Sequence, residues 1–168
     1  YKDLSVLQID AHADLRDEYQ GTPYSHASVM RRIHELGVPA VGVGIRNYSA
    51  AEARFIREAR KPIFSGRTCH ESATWIDSAV AELSSTVYVT IDIDGFDPAY
   101  APGTGTPEPG GLDWYHVTDL LAAVTRTRRI VAADVVEVCP LPPGTVTEFL
   151  AAKLVYRLIG LVCRAGRA

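Results

Sequence analysis

The amino-acid sequence predicts an α/β fold in three layers, with helices on both sides of a mostly parallel sheet. Three observations predict it. Short apolar runs bounded by turn residues alternate with stretches of helical periodicity along the chain. The central run carries strand-forming residues on both faces, Val87, Val89 and Ile91 on one and Tyr88 and Thr90 on the other, the pattern of a strand covered from two sides. A hydrophobic content of 47% over 168 residues is enough for one buried core in one domain.

In order, the strands are expected at 4–9, 40–45, 62–64, 87–93 and 130–138, and the helices at 25–36, 49–60, 71–83, 114–127 and 147–161. The second helix opens on Ser49 with Glu52 three positions later, a capping box. Between the fourth strand and the fourth helix lies one long irregular stretch, 97–113, dense in Pro and Gly and unusual for an idle loop. Trp75 and Trp114 fall in helical stretches and are expected in the core or at subunit contacts, and Arg31 and Arg32 on a solvated helix face.

Composition excludes several classes of function. With 20 acidic and 17 basic residues the net charge is only −3, so no basic field points to nucleic acid or an anionic membrane surface. A small-molecule partner is expected. Cys69, Cys139 and Cys163 are far apart and form no C-x-x-C pair, which fits a reducing compartment and neither a disulfide framework nor a zinc knuckle. The apolar runs are far shorter than a membrane span, and no signal peptide opens the chain, so a cytoplasmic protein is expected. The start at Tyr1, with a core strand almost at once, suggests missing upstream chain.

Ligands of open α/β sheets bind beyond the carboxyl ends of the strands, so the polar residues just after each apolar run are the candidates for a site. The first strand leads into Asp10-Ala11-His12-Ala13-Asp14, the fourth into Asp92-Ile93-Asp94, and the fifth into Asp134-Val135-Val136-Glu137. Extended chain puts residues i, i+2 and i+4 on one side, so Asp10, His12 and Asp14 converge and Asp94 joins Asp92. Any one of these aspartates could simply cap a helix or turn. Four carboxylates and one imidazole at buried strand ends are different, because their mutual repulsion calls for cations. Oxygen-rich ligation with a single His suits a hard or borderline divalent ion such as Mn²⁺ better than a thiolate-loving one, and four shared carboxylates suit two ions better than one. His26 lies at the start of a helix, where an exposed histidine is ordinary. Glu137, closing an apolar strand, is expected to project into the same crevice or to pair with a neighbouring arginine.

Three motifs together resemble the ureohydrolase family, which includes the arginases and agmatinases. They are Asp10-Ala11-His12-Ala13-Asp14, then Asp92-Ile93-Asp94-Gly95-Phe96-Asp97-Pro98 running into Ala101 through Gly111, and Asp134-Val135-Val136-Glu137-Val138-Cys139-Pro140. The resemblance runs from about Leu4 to the C-terminus and implies an arginase-like fold. It implies that Asp10 and Asp92 bridge two manganese ions, that Asp14 completes one shell, and that His12 with Asp94 completes the other. It implies His26 as proton shuttle and Glu137 as partner of the substrate guanidinium, both touching substrate, and a trimer or hexamer. The stretches 14–19, 24–27 and 30–32 look most like agmatinases, which release urea and putrescine from agmatine. Another guanidino or formimino substrate is the alternative. The Asn-containing segment that arginases carry before the corresponding histidine is not seen.

The family has a further metal-binding histidine in an upstream Gly-Gly-Asp-His motif, and none of His12, His26, His34, His70 and His116 sits in that context. Residues 1–168 therefore read as the C-terminal part of a single catalytic domain, truncated at its N-terminus. Its first strand is expected to lack neighbours. A non-catalytic, oligomer-forming module is the further alternative.

Overall fold

The computed structural model describes residues 1–166. Five parallel strands, β1 (Leu4–Ile9), β2 (Ala40–Ile45), β3 (Ile63–Ser65), β4 (Thr86–Asp92) and β5 (Arg129–Val136), form one sheet in the order β3-β2-β1-β4-β5. Helices α1 (Val29–Glu35), α2 (Ala50–Glu58), α3 (Gly66–Glu71), α4 (Trp75–Ala81), α5 (Trp114–Thr127) and α6 (Val146–Ala165) connect and cover them. The three-layer expectation holds. The larger core joins β1, β2 and β4 to α4, α5 and α6 through residues such as Leu7, Val89, Ile91, Leu121 and Leu154. A smaller one on the other face joins Val6, Ile45 and Leu15 to Met30 of α1 and to Phe55 and Ile56 of α2.

The chain builds the sheet outward from β1 through β2 to β3, then returns to the other side of β1 for β4 and β5. The order reverses between β1 and β4, so their carboxyl ends flank the switch point where such sheets bind ligands. Parallel pairing sets Gln8 beside Thr90 and Ile9 beside Ile91, which brings Asp10 and Asp92 out at the same level.

Some expectations need correction. β1 does not lack neighbours, since it pairs with both β2 and β4. The apolar opening lies instead at the far edge, a groove of 330 Å³ between β5 and α6 lined by Ile130, Val135, Val155, Leu158 and Ile159. The helix expected at 71–83 begins only at Trp75, because Ser72 adopts an extended backbone that ends α3. The sequence gives no strong sign of α3 because its opening glycine is a weak helix former, although Ser65 caps it by accepting from the Thr68 N–H. The helix expected from 25 starts as a 3-10 turn, His26–Ser28, before α1. Trp75 is buried in the core, with Trp114 packed against it. Arg31 and Arg32 are more engaged than a solvated face implies: both pair with Asp17 and Glu35, and Arg31 lies over the Phe55 ring. The Ser49–Glu52 capping box forms as expected.

Candidate metal centre

β1 ends at Ile9, yet its alternation continues beyond it. Ala11, Ala13 and Leu15 are buried while His12, Asp14 and Arg16 face the other way. A single parallel bridge from His12 to Asn47 extends the pairing with the chain beyond β2. β4 ends at Asp92, and Asp94 is not on the strand but in a 3-10 turn, Ile93–Gly95, that folds back toward β1. Gly95 is required there. A Cβ on it would stand 2.9 Å from the Asp10 nitrogen, inside contact distance.

Each of these three acids uses one oxygen to fix backbone, Asp10 and Asp92 locally and Asp94 across to the segment after β1. Asp10 Oδ1 accepts from the His12 N–H at 2.6 Å, Asp92 Oδ1 from the Asp94 N–H at 3.0 Å, and Asp94 Oδ1 from the Ala11 N–H at 3.1 Å. The capping role open to single aspartates is therefore real for Asp10 and Asp92, while the second oxygen of Asp10 accepts from Gln8 Nε2 at 2.9 Å. Asp94 Oδ2 lies 3.0 Å from His12 Nδ1, and Asp10 Oδ1 lies 3.6 Å from the same nitrogen. Asp10, His12 and Asp94 each present a ligand atom within 4.8 Å of the others. Asp14 and Asp92 line the cleft beside them without joining that tightest group.

The bare charges do not sit comfortably. Burial, reinforced by the Asp10 charge, pushes Asp14 up to about 8 and Asp92 up to about 9. Burial raises Asp10 as well. Hydrogen bonds that the His12 ring donates to Asp10 and Asp94 raise it to about 10. Asp94 stays below its ordinary value in spite of its burial, because His12 and the Ala11 N–H hold its charged form. Buried carboxylates that must otherwise hold protons, around one imidazole, form an oxygen-rich donor set suited to hard divalent cations.

The cleft above this cluster has a volume of 440 Å³ and includes His26, Tyr19, Tyr48, Glu52 and Glu137 in its lining. Ser25 caps the 3-10 turn at its Ala27 N–H, and the His26 ring meets the Tyr19 ring edge-on at 5.6 Å. Asp14 and Glu137 both have left-handed backbones, φ 52° and 61°, conformations that non-glycine residues adopt at some cost and that cluster at working sites. Asp134, by contrast, is held within the sheet by Tyr88 and by Thr90 at 2.8 Å. His34, His70 and His116 serve elsewhere: His34 against Phe55, His70 on the Gly111 carbonyl at 2.8 Å, and His116 in the capping box of α5.

Three residues of this region are not apparent from the sequence. Glu52, expected only as a cap, is buried beside the cleft and also accepts from the Leu15 N–H at 3.0 Å. Glu108 bonds Asn47 and stands 3.9 Å from His12 Nε2. Arg46 binds main-chain carbonyls around the cluster. Among these only Glu52 leaves a signal, its place in the capping box.

Comparison with known proteins bears on the same residues. A model of the arginase family matches residues 1–160. The N(1)-aminopropylagmatine ureohydrolase of Synechocystis sp. is 43% identical over 158 residues, which cover 94% of this chain and 52% of that protein. The agmatinase of Pyrococcus horikoshii is 39% identical over 160 residues, covering 95% and 56%. Among solved structures, the agmatine ureohydrolase of Thermoplasma volcanium superposes with a TM-score of 0.88 at 35% identity, over 99% of this chain and 57% of its own. The chain thus spans about half the length of the curated relatives it matches. No helix among the described residues is long and apolar enough to cross a membrane.

Proposed function

The chain belongs to the arginase family, and from that premise we propose that it hydrolyses the guanidino group of a linear amine, agmatine first, releasing urea and the diamine putrescine. The observation that carries this reading is the charge of the cleft. Beside the acids proposed to hold metal, its lining sets the carboxyl groups of Glu52 and Glu137 against one guanidinium, that of Arg16. Arg16 is already engaged, 3.7 Å from Glu52 and 4.7 Å from the Tyr19 ring centre, so no arginine or lysine of the lining is left over for a substrate carboxylate. A substrate cationic at both ends suits this lining, and an amino acid does not.

Asp10, His12, Asp14, Asp92 and Asp94 would hold two manganese ions. Such ions, when bound, supply an acidified water as nucleophile near neutral pH. The protein's own part is positioning and proton transfer. Glu137 would hold the planar guanidinium by a bidentate, charge-assisted pair and so fix the carbon for attack. Water adds to that carbon, the bond to the alkyl nitrogen breaks, and His26 would deliver the proton that lets the amine leave. Thr106, whose hydroxyl reaches Asp94 Oδ2 at 3.3 Å, would steady that ligand from the cleft side.

A second reading has a specific observation behind it: the Synechocystis relative is named for N(1)-aminopropylagmatine, which carries the same guanidino end on a longer cationic amine. Other guanidino compounds and formimino substrates, the latter releasing formamide rather than urea, are the remaining alternatives, and a non-catalytic oligomer-forming module would release urea from none of the substrates. A trimer or hexamer in a reducing, cytoplasmic setting completes the proposal, and sedimentation as a monomer would count against that assembly. The test is urea release with Mn²⁺ from agmatine, aminopropylagmatine and arginine. The expected result is turnover of one or both amines and little of arginine. Preferential turnover of arginine would overturn the substrate reading.

A further inference from the structure

Arg46 comes directly after β2 and does not line the cleft, yet both metal-binding segments meet at it. Its own N–H donates to the Ala11 carbonyl at 2.8 Å, between Asp10 and His12. Its side chain reaches the other segment. Nη2 donates to the carbonyls of Asp94 at 2.7 Å and Phe96 at 3.2 Å, and Nη1 to Gly95 at 3.4 Å and Gly44 at 2.9 Å. The same guanidinium holds the long loop through the Glu108 carbonyl, 2.8 Å from Nη2, and the Pro109 carbonyl, 3.1 Å from Nε. Every side-chain partner is a main-chain oxygen, so the cation fixes backbone rather than neutralising a carboxylate.

The fold makes room for this group. A Cβ on Gly111 would stand 2.6 Å from Nη2 and 2.4 Å from the Asp97 nitrogen, and a Cβ on Gly66 would stand 3.3 Å from Arg46 Cδ and 2.5 Å from the Gly110 carbonyl. Asp97 closes the loop from the other side, accepting from the N–H groups of Gly110 and Gly111 at 2.8 and 3.0 Å. Held this way, the loop brings the Glu108 carboxylate within 3.9 Å of the outer nitrogen of His12, ion-pair range and one step short of a hydrogen bond. A carboxylate on the far ring nitrogen is the usual device for orienting a metal-binding histidine.

We propose that Arg46 is a positioning residue for the metal centre: its planar fork bolts the Asp94 turn, the Ala11 segment and the 97–113 loop together, and so sets Asp94 and Glu108 around His12. The inference rests on the metal-centre reading for its consequence, but the bolt itself is testable without metal. Five donors in a fixed fork are what the arrangement uses, and the three donors of a lysine cannot reach as many carbonyls at once.

The experiment compares wild type with Arg46→Lys, Arg46→Met and Val124→Ala, the last a core change in α5 away from the cleft. Amide hydrogen exchange on the metal-free chain is expected to quicken at 94–97 and 108–112 in Arg46→Lys, and more in Arg46→Met, while Val124→Ala leaves that pattern alone. Mn²⁺ titration monitored by electron paramagnetic resonance is expected to show affinity about 10- to 100-fold weaker in Arg46→Met, intermediate in Arg46→Lys and unchanged in Val124→Ala. Unchanged exchange in folded Arg46→Lys, or wild-type Mn²⁺ affinity in either Arg46 variant, overturns the proposal. Absence of Mn²⁺ binding by wild type, with the exchange difference present, would instead sink the metal-centre reading and leave the bolt standing.

Discussion

Loading the cleft with Mn²⁺ must expel protons, and the metal-free electrostatics set their number. Asp14 is pushed up to about 8, Asp92 to about 9 and His12 to about 10. At pH 7 each therefore carries about one proton in the folded, metal-free chain. Ligation requires the carboxylates ionised and the imidazole neutral, so filling the site releases about three protons per chain at pH 7 from these groups, with any held by Asp10, also raised by burial, in addition. At pH 9 Asp14 is already ionised and Asp92 is half so, and the release falls to about half that value. Isothermal titration calorimetry in two buffers of different ionisation enthalpy counts the protons directly. A release of one proton or fewer at pH 7, or the same count at both pH values, would refute the placement of these groups in one metal-binding cluster.

Metal-free stability carries the same signature. All three groups have folded-state values raised above their unfolded ones, so their stabilisation is present at low pH and is lost as pH climbs from about 4 through 8 to 10. The melting temperature without metal is expected to fall between pH 5 and 9 by scanning calorimetry, and saturating Mn²⁺ is expected to reverse the trend; a metal-free melting temperature that rises with pH would contradict it. Glu52→Ala strands the N–H groups of Leu15 and Ser49, which Glu52 receives at 3.0 and 2.7 Å, and is expected to cost about 2–3 kcal/mol in denaturant unfolding, with Glu52→Gln milder. His26→Ala is expected to keep its metal and lose about 10²- to 10⁴-fold in turnover. Loss of metal in that variant would reassign His26 from proton transfer to ligation.

The parts of this architecture legible in the sequence are those written as side-chain pattern. Alternation of Ala11, Ala13 and Leu15 with His12, Asp14 and Arg16 announces one polar side, and the register of two apolar strands sets Asp10 and Asp92 level. The spacing of Asp94 from Asp92 fits extended chain, which is why pattern alone places it on the strand. The turn that carries it instead depends on Gly95 approaching Asp10 from another strand, a long-range contact. Arg46 is silent for a related reason: its partners are carbonyl oxygens, which every residue has and no sequence marks. The capping box discloses Glu52 but not its second bond to Leu15, 37 positions away. Likewise the apolar edge at β5 comes from the strand order, which propensity and periodicity leave open.

Manganese bound per folded chain, measured by equilibrium dialysis of wild type and Asp92→Ala, tests the central claim most directly. The account predicts that wild type takes up Mn²⁺ with a limit of two ions, and that Asp92→Ala, folded by circular dichroism, loses metal because one of the carboxylates proposed to hold the ions is gone. Equal metal content in the two proteins, or none in wild type, would leave these acids as caps of strands and turns and would contradict it.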